Sequence, residues 1–452
     1  MCLPFFLRMR QSVEFTTHTL TGFNRDETFL KTSHFLDMRL LARSRLSTCI
    51  LASLIAATLG CDAKIEQFES NQLYSLTLAE SRSTPMDAAQ KDTLAVIETL
   101  FGTPNEPRWP VELISQPSDS LVDLGRLQRA AGPISSLQDG SHLGLYRELC
   151  VDCHGLTGNG FGPASLAMNP YPRDFRHGVF KWKSTPRNDK PTRDDLRRTL
   201  LHGAGGTAMP SFAVVAEDDL EALLDYVIYL SVRGEVEREL LAEAVELGYA
   251  ETAPEANLRI VAPAWIEDEA NNTDTLNDTA TLSEGAEATL KIVRDVTQEW
   301  SDAESRVIQV PAPSVANDEE SVQRGRDLFH GPIANCVGCH GPSGNGSAIT
   351  LDYDDWTKEY SSRLGLTPTD RDAIKPFRKA GAPKPRPIVA RRLQQGVFRG
   401  GGESDTLYRR ITQGVAGTPM PSLEVVQTAN EKGLTPDQVW DLVHYLESLG
   451  TP

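Results

Sequence analysis

Cys150-Val151-Asp152-Cys153-His154 returns 186 residues later as Cys336-Val337-Gly338-Cys339-His340. Both stretches have the form C-x-x-C-H, the pattern through which a c-type haem is attached. The spacing has a chemical reason. Two thiols three residues apart share one face of a helical turn. There they add to the porphyrin vinyl groups, and the adjoining histidine reaches the iron as an axial ligand. Two other chemistries use C-x-x-C. A zinc site needs further Cys or His ligands at suitable spacing, and a redox dithiol sits in a βαβ pattern, which these flanks lack. The remaining cysteines, Cys2, Cys49 and Cys61, fall in the first 61 residues, so no disulfide framework is implied.

Outward from the motifs the chain repeats itself. In the first copy Leu143, Leu145, Tyr146 and Leu149 form an apolar face that leads into Cys150, placing the motif at the end of a helix. Gly155, Gly158, Gly160 and Gly162 follow, closed by Pro163. Gly205-Gly206-Thr207-Ala208-Met209-Pro210-Ser211 comes next, with Met209 55 residues after His154. A lone Met is usually core filler, but this one stands in a Gly/Pro-rich loop, a context suited to a sulfur aimed at iron. A closing amphipathic helix is expected over 217–231. In the second copy Leu328 and Phe329 precede Cys336, and Gly341, Gly344 and Gly346 follow His340. Gly417-Thr418-Pro419-Met420-Pro421-Ser422 matches the first methionine loop, and a closing helix is expected over 435–449. Gly178-Val179-Phe180 recurs as Gly396-Val397-Phe398. Met420 lies 80 residues after His340, and most of the extra length falls between Ala348 and Ala390, where a short helix is expected around Trp356 and Tyr360.

The repeat also weighs the other histidines. Gln395 stands where His177 does, Gln413 where His202 does, and Ile228 where His444 does. Glutamine is no haem ligand, so His177 and His202 read as neighbouring or surface polar groups and His444 as a packing or surface residue. Met209 and Met420 are the shared candidates for the second axial position.

The 452 residues suggest roughly two to three domains, and 40% hydrophobic with 24% charged residues is the balance of a soluble globular protein. Arg39, Arg43 and Arg45 precede the apolar run 49–60, which suits a signal peptide and is too short to span a bilayer. Met38 stands directly before them and is the expected translation start. Thr58-Leu59-Gly60-Cys61 resembles a bacterial lipobox, although Thr58 departs from the usual leucine. If processed there, the chain is lipidated at Cys61 and held on the periplasmic side of the cytoplasmic membrane. Asp62 resembles an inner-membrane retention signal. Ordinary signal cleavage and an uncleaved anchor are the alternatives, and each still exports the chain.

Residues 62–139 carry no chemical motif and read as a tether with one helix, from Asp87 to Phe101, stopped by Gly102-Thr103-Pro104. The stretch around Pro104, Pro107 and Pro110 reads as extended. Residues 233–310 hold 18 acidic and 6 basic residues, within an acidic connector placed at 233–319. Helices are expected at 235–247 and 287–300, with a polar loop between them. This acidity serves either as a solvated face or to steer a basic partner. Residues 373–402 hold eight basic residues and no acidic one. That run would orient an acidic redox partner or neutralise haem propionates. Nucleic acid is not an expected partner of an exported acidic chain.

These residues resemble the class I c-type cytochromes in a tandem di-haem arrangement, over about 140–232 and 320–452. The resemblance implies a mainly α fold of two helical domains, each wrapping a covalently bound haem. Cys150 and Cys153, and Cys336 and Cys339, would be the attachment pairs. His154 and His340 would be the proximal iron ligands, and Met209 and Met420 the distal ones. In that family a proline carbonyl after the motif often orients the proximal imidazole. Pro163 is placed for this, whereas the second copy has Ile349 at the matching offset and lacks an obvious equivalent. A His/Met iron is six-coordinate with no open site, which points to an electron-transfer protein rather than an enzyme. Its partners would be other redox proteins: a respiratory complex, an oxidase or a soluble cytochrome. The rival is a di-haem enzyme such as a peroxidase or a thiosulfate dehydrogenase, which needs one displaceable distal ligand and a nearby acid or base.

Overall fold

Helices built on apolar residues at helical spacing make up most of the regular structure in the computed structural model, which describes residues 66–111, 121–262, 265, 282–347, 352–428 and 432–450. The expectations for Met38, the apolar run, Cys61, Asp62 and Ile349 lie outside the described residues. In chain order the first helices are α1 (Gln72–Arg82), α2 (Asp87–Phe101) and α3 (Leu124–Ala130). A hairpin follows, β1 (Ser135–Ser136) paired antiparallel with β2 (His142–Leu143). Next come α4 (Leu145–Leu149), α5 (Val151–His154), α6 (Arg193–His202), α7 (Glu217–Glu246) and α8 (Glu284–Asp302). The second half contains α9 (Glu319–His330), α10 (Val337–His340), α11 (Asp355–Glu359), α12 (Lys375–Lys379), α13 (Ser404–Gln413) and α14 (Pro436–Leu449).

The spine of the first half is α7. Its 30 residues run on without a break where the apolar pattern alone suggests an end at Ser231. Gly234 lies inside it for a steric reason: a Cβ there would overlap the backbone of Arg176, which packs against the helix. α2, α3 and α8 all pack on α7.

The 62–139 segment is therefore not a free tether in its described part. Phe68, Val96, Ile97, Phe101 and Trp109 are buried in the same core as Tyr226 and Tyr229 of α7. Tyr249 donates from its hydroxyl to Asp92 Oδ2 at 2.7 Å, and Arg259 grips the same carboxylate with two nitrogens. The prolines read as extended chain, but the buried Trp109 among them, an aromatic of a kind that buries on the order of 150–250 Å², fixes the segment in place.

Most described carboxylates of the acidic connector are exposed or half-buried, as a solvated face would be, but Glu235 and Glu237 are buried. Glu235 pairs with Lys190 and accepts from the Trp300 indole at 2.7 Å. Glu237 accepts from the Asn71 amide at 2.6 Å and pairs with the fully buried Arg233 at 3.1 Å. These carboxylates belong to the core, because each meets a donor brought in from a distant stretch of chain.

In the second half α9 crosses α14 where Gly325 stands, since a Cβ there would overlap the Asp441 carbonyl. Phe329, Leu407, Tyr408, Ile411, Trp440 and Val443 form the core beneath. Thr435 caps α14 in a reciprocal box with Gln438. The insert of the second copy contains α11 and α12, and its Tyr360 and Phe377 pack with Leu73 and Leu76 of α1.

The two halves also meet directly. Arg238 pairs with Glu359 at 2.6 Å, Ile308 N donates to Ser184 O at 2.9 Å, and Tyr171 donates to Lys384 O at 3.2 Å. Arg386 of the basic run lies over the Tyr171 ring at 3.9 Å and donates to the carbonyls of Leu166 and Met168. Part of that run thus faces the other domain.

Candidate haem sites

Each C-x-x-C-H motif forms one helical turn. The amides of Cys153 and His154 donate to Cys150 O at 3.1 and 2.8 Å, and those of Cys339 and His340 donate to Cys336 O at 3.2 and 2.8 Å. All four thiols are free. Burial pushes Cys150 up to about 12 and Cys336 up to about 11, so both remain neutral thiols near pH 7. Burial also lowers His154 to about 4 and moves His340 in the same direction, although the carbonyls that face them oppose the shift. Both imidazoles are neutral at pH 7.

Those carbonyls correct the sequence reading. His154 Nδ1 lies 3.0 Å from Arg173 O, and His340 Nδ1 lies 3.2 Å from Arg391 O. A proton on Nδ1 facing a carbonyl leaves Nε2 as the lone-pair nitrogen for a metal. Pro163 does not play this part, and the second copy has the same support as the first. The sign was present in the repeat: Arg173 and Arg391 each stand five residues ahead of Gly178 and Gly396.

The loops after the histidines match bond for bond. Gly160 N and Gly346 N donate back to the His154 and His340 carbonyls, both at 2.8 Å. Asn159 accepts from Phe161 N at 2.9 Å and Asn345 from Ser347 N at 3.0 Å. Phe175 N donates to Gly158 O at 2.8 Å and Leu393 N to Gly344 O at 2.7 Å. One difference follows from side-chain type: Phe175 stacks on His154 at 4.6 Å, and Leu393 holds its place in the second copy.

The methionine loops also agree. Ala204 N and Val415 N donate to Met209 O and Met420 O at 3.1 and 3.2 Å. Thr207 and Thr418 donate from their hydroxyls to Ala204 O and Val415 O, both at 2.8 Å, and accept from the amides of Met209 and Met420 at 3.1 and 3.3 Å. The second loop has an added clamp from the first domain: Arg187 donates to Met420 O at 2.7 Å and to Thr418 O at 2.8 Å.

The remaining histidines fall where the repeat put them. His177 sits 3.6 Å from Asp174 Oδ2, His202 is exposed, and His444 is buried with its Nδ1 2.7 Å from Ser321 Oγ.

The residues fit haem better than the alternatives for C-x-x-C. Among the described residues no three His, Cys, Asp or Glu side chains converge as a metal cluster, so zinc finds no ligand set. Paired free thiols, a neutral imidazole with its Nδ1 occupied, and a methionine loop suit a covalently held iron porphyrin. The charge fits as well. Arg391 Nε and Arg399 Nε are buried donors without a partner. Burial, with Arg173 nearby, lowers Lys181 to about 7. Carboxylates such as haem propionates would satisfy such cations. Lys181, Lys183, Arg187, Arg198, Arg409 and Arg410 line a small cleft between the two domains, and no acidic side chain lines it.

Residues 322–450 match the family described as cytochrome c, and residues 141–227 match the family described as cytochrome C oxidase, cbb3-type, subunit III. Each of these two stretches is therefore a cytochrome c-type domain, and the two stand in tandem. Their haem groups make electron transfer the chemistry of the chain. Among solved structures it is similar to a chain of the reducing HAO-like protein complex of Kuenenia stuttgartiensis, at 22% identity and a TM-score of 0.41, covering 68% of this chain and 94% of that one. No curated protein matches it.

Proposed function

We propose that this cytochrome is a di-haem electron carrier of a bacterial respiratory chain, working on the periplasmic side of the cytoplasmic membrane and held there through Cys61. In this reading Cys150, Cys153, His154 and Met209 would hold one haem, and Cys336, Cys339, His340 and Met420 the other. The haems supply one-electron chemistry. The chain supplies the rest: the Arg173 and Arg391 carbonyls fix the imidazoles, and the threonine-braced loops fix the backbone of the two methionines. The observation that carries this is the internal hydrogen bonding that the two methionine loops share. Neither loop is built differently to leave an iron open, as a peroxidase or thiosulfate dehydrogenase would need. The match of residues 141–227 to an oxidase subunit family supports a redox protein as partner.

Carbon monoxide binding to the fully reduced protein, followed in the visible spectrum, tests this. No uptake by either haem is the expected result. Prompt uptake at one haem would mean a displaceable ligand and would replace the carrier with the enzyme.

A further inference from the structure

At the junction of the two domains the proximal side of one site runs into the distal side of the other. Arg173 presents its carbonyl to His154 at 3.0 Å, while its guanidinium lies over the Trp356 ring, 4.2 Å from the centroid. The cation–π contact holds the indole against the first domain, and His177 adds a second ring at 5.6 Å. Trp356 also lies directly against Gly417, where any Cβ would overlap the six-membered ring. Gly417, at φ +69°, stands three residues before Met420 in the second methionine loop. Asp355 N fixes the approach by donating to Gly417 O at 3.3 Å. One indole thus spans the gap between the residue bonded to the first proximal ligand and the loop of the second distal ligand.

The reciprocal junction lacks this ring. Gly206 of the first methionine loop meets the Arg391 guanidinium directly, the closest nitrogen lying 2.9 Å from where a Cβ would sit. Trp356 belongs to the insert that only the second copy has.

We propose that Trp356 carries inter-haem electron transfer, as the contact through which an electron crosses between the domains. The inference rests on the di-haem reading above. One iron loses an electron and becomes ferric, the other gains it and becomes ferrous, and no proton moves. No bond forms or breaks, and Trp356 remains a neutral indole. An electron crosses protein faster through packed, conjugated atoms than across a gap, and the ring packs against both sides.

The test uses the full di-haem protein. A single electron is delivered by a short reducing pulse, and its redistribution between the haems is followed spectrally in wild type, Trp356→Phe and Trp356→Leu. Leucine should slow the inter-haem step about tenfold or more and phenylalanine about two- to threefold, as expected where coupling runs through contiguous packing. Both haem potentials and the methionine-to-iron charge-transfer band should stay unchanged. Wild-type speed in Trp356→Leu would overturn the proposal. So would a slowing accompanied by shifted potentials or loss of that band, since Trp356 would then be a prop for the Met420 loop. If the leucine variant fails to fold, the phenylalanine variant decides by the same criteria. Carbon monoxide uptake by the wild type would instead sink the carrier reading and leave the transfer measurement interpretable.

Discussion

The two haem domains share a hydrogen-bonded frame and differ in what encloses it. In the first, His154 is 9% exposed and Cys150 is 8% exposed, under α7 and a stacked Phe175. Beside them Asp174 holds the Arg176 guanidinium through two hydrogen bonds, at 3.0 and 2.8 Å. In the second, Cys339 is exposed and His340 only half-buried. Arg392, Gln394 and Gln395 replace Asp174, Arg176 and His177, so that ionic cluster is absent by sequence. The difference teaches that ligand geometry and haem environment are set separately. The frame is backbone bonding, which the repeat preserves, while the enclosure comes from side chains that differ between the copies. A buried, low-dielectric setting disfavours the extra charge of ferric iron, so the first haem should have the higher potential.

The comparison breaks most readily at the helix crossings. Gly234→Ala should cost about 3 kcal/mol through overpacking against Arg176, and Gly325→Ala a similar amount against Asp441. Melting followed in the haem bands should show each variant loosening its own domain first. Equal loss in both domains would show that they unfold as one unit. Removing a sulfur comes next. Met209→Ala and Met420→Ala should each lower one potential by on the order of 100 mV with both haems still attached. Spectroelectrochemical titration reads this, and the higher wild-type step should be the one that falls in Met209→Ala. Potentials unchanged in both variants would remove methionine ligation.

Acid separates the domains more gently. Burial would raise Asp174, but Arg176 and His177 outweigh it and hold the carboxyl at about 2, below its ordinary 3.8. Its stabilisation, about 2 kcal/mol, is therefore complete above pH ~4 and lost as pH falls towards 2. The first haem's spectrum should change in that window, and Asp174→Asn should remove the step. The smallest effect should also be the most symmetric. Asn159→Ala and Asn345→Ala each delete one turn hydrogen bond, at 2.9 and 3.0 Å, and each should cost about 1 kcal/mol in thermal unfolding. Unequal losses would mean that the shared frame is not equally supported.

Local chemistry was legible in the sequence, and the parts that depend on distant contacts were not. The attachment motifs, the methionine loops and the helix from Asp87 to Phe101 follow from short-range spacing. The Arg173 and Arg391 carbonyls do not, because a backbone acceptor has no residue type to betray it. Only the shared distance to Gly178 and Gly396 could have pointed there. Glu235 read as a solvated charge because its partner Lys190 lies 45 residues away. The stretch at Pro104–Pro110 read as extended spacer because its burial depends on α7, which follows more than a hundred residues later.

The Arg187 clamp has a consequence in time as well as in space. The Met420 loop is completed by two bonds from a residue of the other domain. A chain made from its N-terminus has Arg187 in hand long before Met420 emerges. The second methionine loop therefore closes fully only against a neighbour already made, while the first loop gains its own outside bond, from Arg399 to Gly206 O at 3.4 Å, only when the second domain arrives. A fault around Arg187 is thereby passed on to the second methionine loop.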